Sequence, residues 1–155
     1  MAKKWLFLFL RLLVVLFQRV LYIFTVGQLP PFATVSVVVR YNGKVLLIDR
    51  VDGKGWSLPG GFMRMHETTI EAVKRETREE TGLEIEVTGI LGVLSGRRAG
   101  TAIRSVEIVY AARPIAGQLK GSLEGECRWV DIENEKPNFA FDYKDLIWRT
   151  RGASV

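Results

Sequence analysis

The sequence predicts one α/β domain built on a mixed β-sheet, set behind a separate hydrophobic helix. Three observations carry this. Runs of β-branched and apolar residues, bounded by turn signals, recur from Thr34 onward. A capped helical segment interrupts them at Thr68 to Thr81. The elements lack the regular βαβ alternation of a doubly wound parallel sheet. A length of 155 residues suits a single compact domain with its own core. Cys127 is the only cysteine, which excludes an intrachain disulfide and a cysteine-built zinc site and makes a reducing compartment the default. A formal charge of +5 suits an anionic partner such as a polyphosphate or an anionic lipid surface. No specific nucleic-acid partner is expected.

Residues 1–29 form the first unit. Lys3 and Lys4 precede an almost wholly apolar run from Trp5 to Val26, broken only by Arg11, Gln18 and Arg19 among its strongly polar side chains. No Gly or Pro occurs in it, so it reads as one helix, long enough at about 1.5 Å per residue to cross a bilayer. Its sixteen Leu, Ile, Val and Phe residues favour insertion by roughly 5 to 10 kcal/mol, and two central arginines oppose it by about 5 to 7. Lys4, Arg11 and Gln18 are spaced seven apart and form a narrow polar stripe. That pattern suits a helix lying in a membrane interface through residues 5–26, at the cytoplasmic face, with its arginines at the headgroups. A spanning helix, a helix docked on the domain or on a second subunit, and a cleaved signal peptide remain alternatives.

Gln28-Leu29-Pro30-Pro31 is a stiff break, and residues 30–155 are expected to form the catalytic domain. Thr34 to Arg40 reads as a strand. Asn42-Gly43 signals a tight hairpin into a central strand, Lys44 to Arg50. Trp56-Ser57-Leu58 is a short strand ending at Pro59-Gly60-Gly61. Thr68 and Glu71 form a capping box at the start of the helix and Gly82 stops it, with Ile70, Val73 and Thr77 expected on its inner face. Strands are expected at Glu84 to Leu94, Ile103 to Arg113 and Cys127 to Asp131, and a closing helix at Asp142 to Arg149.

Chemistry concentrates on the capped helix. Glu76, Glu79 and Glu80 stand at i, i+3 and i+4, so one face presents three carboxylates. Like charges at that spacing repel, whereas hard divalent cations seek such oxygen ligands. An ordinary solvated charged face is the competing explanation of the helix alone. The wider context decides between them. From Gly61 the chain reads five residues, Glu67, seven residues, then Arg75-Glu76-Thr77-Arg78-Glu79-Glu80-Thr81-Gly82-Leu83. This resembles the Nudix box, G-x5-E-x7-R-E-U-x-E-E-x-G-U with U a bulky aliphatic, and every fixed letter is present. The resemblance extends from about Phe32 to Trp148 and leaves the N-terminal helix outside it. Thr77 departs from the usual aliphatic residue and is expected to pack. His66 stands where relatives often have Gly, so positive φ is a candidate there.

The resemblance implies a Nudix-like α/β/α sandwich and a divalent-metal-dependent hydrolysis of a pyrophosphate bond. Mg²⁺, with Mn²⁺ as substitute, would be held by Glu76, Glu79, Glu80 and the Gly61 carbonyl. Glu67 and Arg75 look like the ion pair that orients the ligands. Glu76 or Glu80 acts as general base in some relatives and a downstream acid in others. Glu124 and Glu126 are the downstream candidates. Arg50, Arg97 and Arg98 could contact phosphate, and Trp56, Phe62, Phe139 and Phe141 could stack on a base. The expected substrate is a nucleoside diphosphate linked to another moiety, attacked at phosphorus by water. The family's ADP-ribose members tend to carry a Pro about fifteen residues past the box, a region that Arg97 and Arg98 occupy, so that class is not favoured. The rival from another class is a non-catalytic Nudix-fold module that binds a nucleotide at a membrane, because a fold alone does not give function. A homodimer is open.

Overall fold

The computed structural model describes residues 2–25, 31–97 and 104–149. In chain order the elements are α1 (Ala2–Phe24), β1 (Phe32–Tyr41), β2 (Lys44–Arg50), β3 (Trp56–Ser57), β4 (Gly60–Phe62), α2 (Thr69–Thr81), β5 (Leu83–Arg97), β6 (Arg104–Gly117), β7 (Gly125–Val130) and α3 (Lys144–Arg149). The strands join in the order β3-β2-β1-β6-β5, with β4 pairing β1 and β7 pairing β2. β1 runs parallel to β6 and antiparallel to β2 and β4, so the sheet is mixed.

Alternation along β1 sorts the core into two layers. Val35, Val37 and Val39 point to one face and join Leu46, Ala72, Val73, Leu83, Ile85 and Tyr110 beneath α2. Val38 points to the other face and packs with Val45, Leu47, Val109, Ile132, Tyr143 and Ile147 beneath α3. Toward the start of β1 and β6 that second face turns polar. Thr34 and Ser36, on β1, and Ser105 and Glu107, on β6, are buried there, with Thr34 beside Glu107 in the parallel register.

Local signals explain α2. Thr68 accepts from the Glu71 N–H while the Glu71 side chain accepts from the Thr68 N–H, closing the capping box. Gly82 ends the helix at φ 74°, a left-handed conformation that costs a glycine little. Thr77 is fully buried and satisfies its hydroxyl on the Val73 carbonyl at 2.7 Å, so a β-branched polar residue packs where an aliphatic was usual. The inner face differs from expectation at one place. Ile70 is 45% exposed, and Ala72 takes the inward position beside Val73.

The N-terminal helix forms as expected, and Arg11 and Gln18 of its polar stripe meet protein. The Arg11 guanidinium donates to Asp52 at 2.7 Å, and two turns on Gln18 donates to the Arg104 carbonyl at 3.4 Å. Val14, Val15 and Leu21 are half-buried on the same side. The rise from residue 11 to 18 is about 10 Å. That matches two inter-strand spacings of about 4.8 Å, the separation of β2 from β6 across β1. α1 therefore crosses the end of the sheet. Leu10, Leu13, Leu16, Phe17 and Val20 are exposed, so they do not complete the domain's core, which is where a docked helix was expected to put them. Among the described residues no helix is long and apolar enough to cross a membrane.

Candidate active site

The Arg75 guanidinium organises the box. Its Nε and one terminal nitrogen grip both oxygens of Glu67, the latter at 2.9 Å, and the same nitrogen donates to the Phe62 carbonyl at 3.1 Å. Its other terminal nitrogen meets Glu76 at 2.7 Å and Glu79 at 3.2 Å. One side chain on α2 thus ties the β4 strand, the following loop and two of the box acids together. The Arg75 hydrogen bonds hold the Glu67 carboxyl at a pKa of about 2. The Glu67–Arg75 ion pair expected from the sequence is thus formed.

The three box acids do not share one environment. Glu80 is buried, accepts from the Gly60 N–H at 2.8 Å and hydrogen-bonds Glu124. Burial first, and the Glu124 charge second, push its pKa well up. Burial likewise raises Glu124, against the charge of Arg50 and with Glu80 bonded to it. Glu76 is raised by burial, with Arg75 opposing and the Glu79 and Glu124 charges adding. Glu79 lies at the rim, its side chain 47% exposed, paired with Arg64 and Arg75. Among the described residues no three His, Cys, Asp or Glu side chains stand as a ready metal cage.

The donor set nevertheless fits a divalent cation. Burial first makes Glu76, Glu80 and Glu124 harder to ionise, with the Glu124 charge adding for Glu80 and Glu76, so a cation beside them would favour their charged forms. Gly61 lies against this group. A Cβ there would come within 2.7 to 2.9 Å of the Glu76 carboxylate, so a larger residue would push that carboxylate aside. The Gly61 carbonyl and the Glu76 and Glu80 oxygens are hard ligands of the kind Mg²⁺ takes.

Beside the acids is a cavity of about 150 Å³. Gly60, Gly61, Phe62 and Glu124 line it on the box side, Thr34, Ser36, Ser105 and Glu107 line its sheet floor, and Arg11, Arg50, Phe141 and Tyr143 complete it. Arg50 holds Asp52 through two bonds of 3.0 and 2.9 Å and lies 5.2 Å from the Phe141 ring centroid. Burial pushes the Asp52 carboxyl up, but Arg50, the Lys54 N–H and Arg11 overcome this and hold it below the usual aspartate range. Tyr143 donates to Glu107 at 2.9 Å.

The expected site residues sort accordingly. Gly61, Glu76 and Glu80 gather near Glu124, and Arg50 and Phe62 line the cavity. Glu126 does not. It is exposed on β7 with its carboxylate beside Gly121, whereas Glu124 stands just ahead of β7, where its carbonyl accepts from the Val51 N–H past the end of β2. Trp56 is not a cavity residue either. It is half-buried against Phe139, with Arg128 4.6 Å from its ring centroid. The Arg97 side chain and all of Arg98 lie outside the described residues. His66 is an exposed turn residue without positive φ. Sequence reasoning missed Arg11, Ser36, Asp52 and Glu107 as site residues. Glu107 had a signal: it is an acid in the inward phase of an otherwise apolar strand.

Comparison with known proteins agrees with this geometry. The NUDIX domain family profile matches residues 30–148. An ADP-ribose pyrophosphatase of Methanocaldococcus jannaschii is 38% identical over 77% of this chain and 72% of its own. A MutT-like protein of Streptomyces ambofaciens is 39% identical over 74% of each chain. Among solved structures, a NUDIX hydrolase from Nitrosomonas europaea superposes with a TM-score of 0.68 at 26% identity, covering 79% of this chain and 71% of that one. The chain belongs to the Nudix family and is a pyrophosphohydrolase of that family's type.

Proposed function

We propose that this enzyme hydrolyses the pyrophosphate bond of a nucleoside diphosphate linked to another moiety, an ADP-ribose-like compound being the first to test. The observation that carries the proposal is the group of Glu76, Glu80 and Glu124 near the Gly61 backbone, beside a cavity that Gly61, Glu124, Arg11 and Arg50 line. Glu76, Glu80, the Gly61 carbonyl and, from the rim, Glu79 would hold Mg²⁺, with Mn²⁺ as substitute. When bound, the metal supplies charge neutralisation of the diphosphate and acidifies water for in-line attack. Arg75 and Glu67 keep the β4 backbone and α2 in register so that the carbonyl and carboxylates converge. Glu124, bonded to Glu80 and raised by burial, is placed to take the proton of the attacking water, in preference to Glu126. Arg50 binds phosphate, and Phe62, which is 42% exposed at the cavity edge, offers a face to the base or sugar. A screen of diphosphate compounds with Mg²⁺ or Mn²⁺, read by phosphate-containing products, tests this. Absence of turnover on every nucleoside diphosphate derivative would remove the proposal.

The same proposal includes a location. Trp5, Phe9, Leu12, Leu16 and Phe17 are exposed on α1, an apolar area larger than a lone soluble chain ordinarily leaves in water. We propose that this outer face rests on the cytoplasmic side of a membrane, with residues 1–29 as the attaching unit and 30–155 as the catalytic one. The full chain should sediment with anionic vesicles, and Leu13→Asp with Phe17→Asp should release it. Equal sedimentation of both proteins would exclude the helix as anchor.

A further inference from the structure

We infer that Arg11, delivered by α1 from outside the family's own fold, is a substrate-binding residue that grips the phosphate of the diphosphate lying away from the box acids. The inference rests on the pyrophosphohydrolase reading above and extends it to a second unit of the chain.

Arg11 is part of the cavity wall rather than of a distant surface. It lines the same space as Gly60, Gly61 and Glu124, and its charge acts on Glu124. Its side chain is 22% exposed, while that of Asp52, which it meets at 2.7 Å, is 1% exposed. Arg50 meets the same Asp52 oxygen at 2.9 Å. One carboxylate charge is therefore shared by two guanidinium charges at this corner. Both guanidinium groups also line the cavity that Gly60, Gly61 and Glu124 border. A diphosphate needs both ends neutralised: the metal side serves one phosphate, and planar guanidinium groups suit the other.

A second observation points to a ligand at this place. Ser36 is buried on the cavity floor, and its hydroxyl is the buried side-chain polar atom that lacks a hydrogen-bond partner among the described residues. A buried hydroxyl left unpaired is costly, so such groups are found where something else completes them. A phosphate oxygen between Ser36 and the two arginines would do so. The helix is held for this task at two points, Asp52 at the end of β2 and the Arg104 carbonyl at the start of β6, so Arg11 reaches the cavity from a braced element.

The test uses the full chain. Arg11→Ala and Arg11→Lys are compared with wild type for KM and kcat on the best diphosphate found, and for calorimetric binding of inorganic pyrophosphate to the metal-free protein. Loss of a charge-assisted contact predicts a KM increase of about tenfold or more for Arg11→Ala with kcat changed much less. Pyrophosphate affinity should fall by a similar factor. Arg11→Lys, which keeps the charge and loses the fork, should fall between and guards against a folding defect. Unchanged KM and unchanged pyrophosphate affinity would overturn the inference. So would a loss of thermal stability and kcat at constant KM, the result of a clamp that only steadies the Asp52 loop. If wild type cleaves no diphosphate yet binds pyrophosphate through Arg11, the reaction assignment fails and this contact stands.

Discussion

Replacing Glu80 by Gln should stabilise the metal-free protein while destroying its activity. Glu80 is 4% exposed and hydrogen-bonded to Glu124, so at neutral pH the fold must either hold two buried charges together or retain a proton. The cost of retaining the proton sets a ceiling. From the ordinary value of 4.5 to pH 7 is 2.5 units, at about 1.4 kcal/mol each, or about 3 kcal/mol. Gln keeps the geometry: its carbonyl can accept from the Gly60 N–H, now 2.8 Å from a Glu80 oxygen, and its amide can donate to Glu124. The variant should therefore gain about 1 to 3 kcal/mol at pH 7, a rise in Tm of very roughly 3 to 9 °C for a domain of this size. The sign follows from proton linkage. The folded pKa is raised, so the native state binds more protons than the unfolded one above the unfolded value of 4.5. Wild-type stability then falls as pH rises from there toward the folded pKa, and the advantage of Gln should vanish at pH 4 and grow toward pH 7. Urea unfolding of both proteins in EDTA between pH 4 and 8 measures this, and turnover in Mg²⁺ should drop by about 10² to 10⁴ in kcat. A variant that is less stable than wild type, or whose difference does not depend on pH, would refute the account of Glu80 as a strained ligand.

Four further outcomes are expected. Arg75→Ala leaves Glu67 and Glu76 without their guanidinium and the Phe62 carbonyl without its donor, and should cost about 2 to 4 kcal/mol in urea unfolding; a loss under 1 would contradict its organising role. The Glu67 carboxyl, held at about 2, contributes stability that is complete above 4.5 and lost as pH falls toward 2, so acid unfolding should shift upward in Glu67→Gln. Gly61→Ala places a methyl against the Glu76 carboxylate and should cut kcat sharply with little change in Tm; normal turnover would remove Gly61 from the ligand set. In ¹⁸O-labelled water the label should enter a phosphate-containing product, and label found only in a sugar or alcohol would exclude attack at phosphorus.

Much of this protein was legible in local sequence because its signals are local. The capping box at Thr68 and Glu71, the stop at Gly82 and the Asn42-Gly43 turn act within a few residues of chain, and each formed as its chemistry requires. The box spacing from Gly61 to Leu83 placed Arg75 and the acids on one helix, with Glu67 just ahead of it and paired to Arg75, for the same reason. Ile70 was misjudged because the helix wheel shows which residues share a face but not which of two adjacent rows the sheet covers.

What the chain alone determined is thus the helix, its carboxylates and the family reaction they imply, all consequences of backbone periods that repeat every few residues. Only the tertiary structure decided which downstream acid joins them. Pairing of β7 with β2 sets Glu124 in the cavity and Glu126 outside it, and strand register is a contact between segments some eighty residues apart in the chain. The same holds for the polar stripe of α1. The periodicity that produced it fits lipid headgroups and a protein surface equally well. The choice in favour of Asp52 and the Arg104 carbonyl depends on the distance between β2 and β6, which exists only once the sheet has formed.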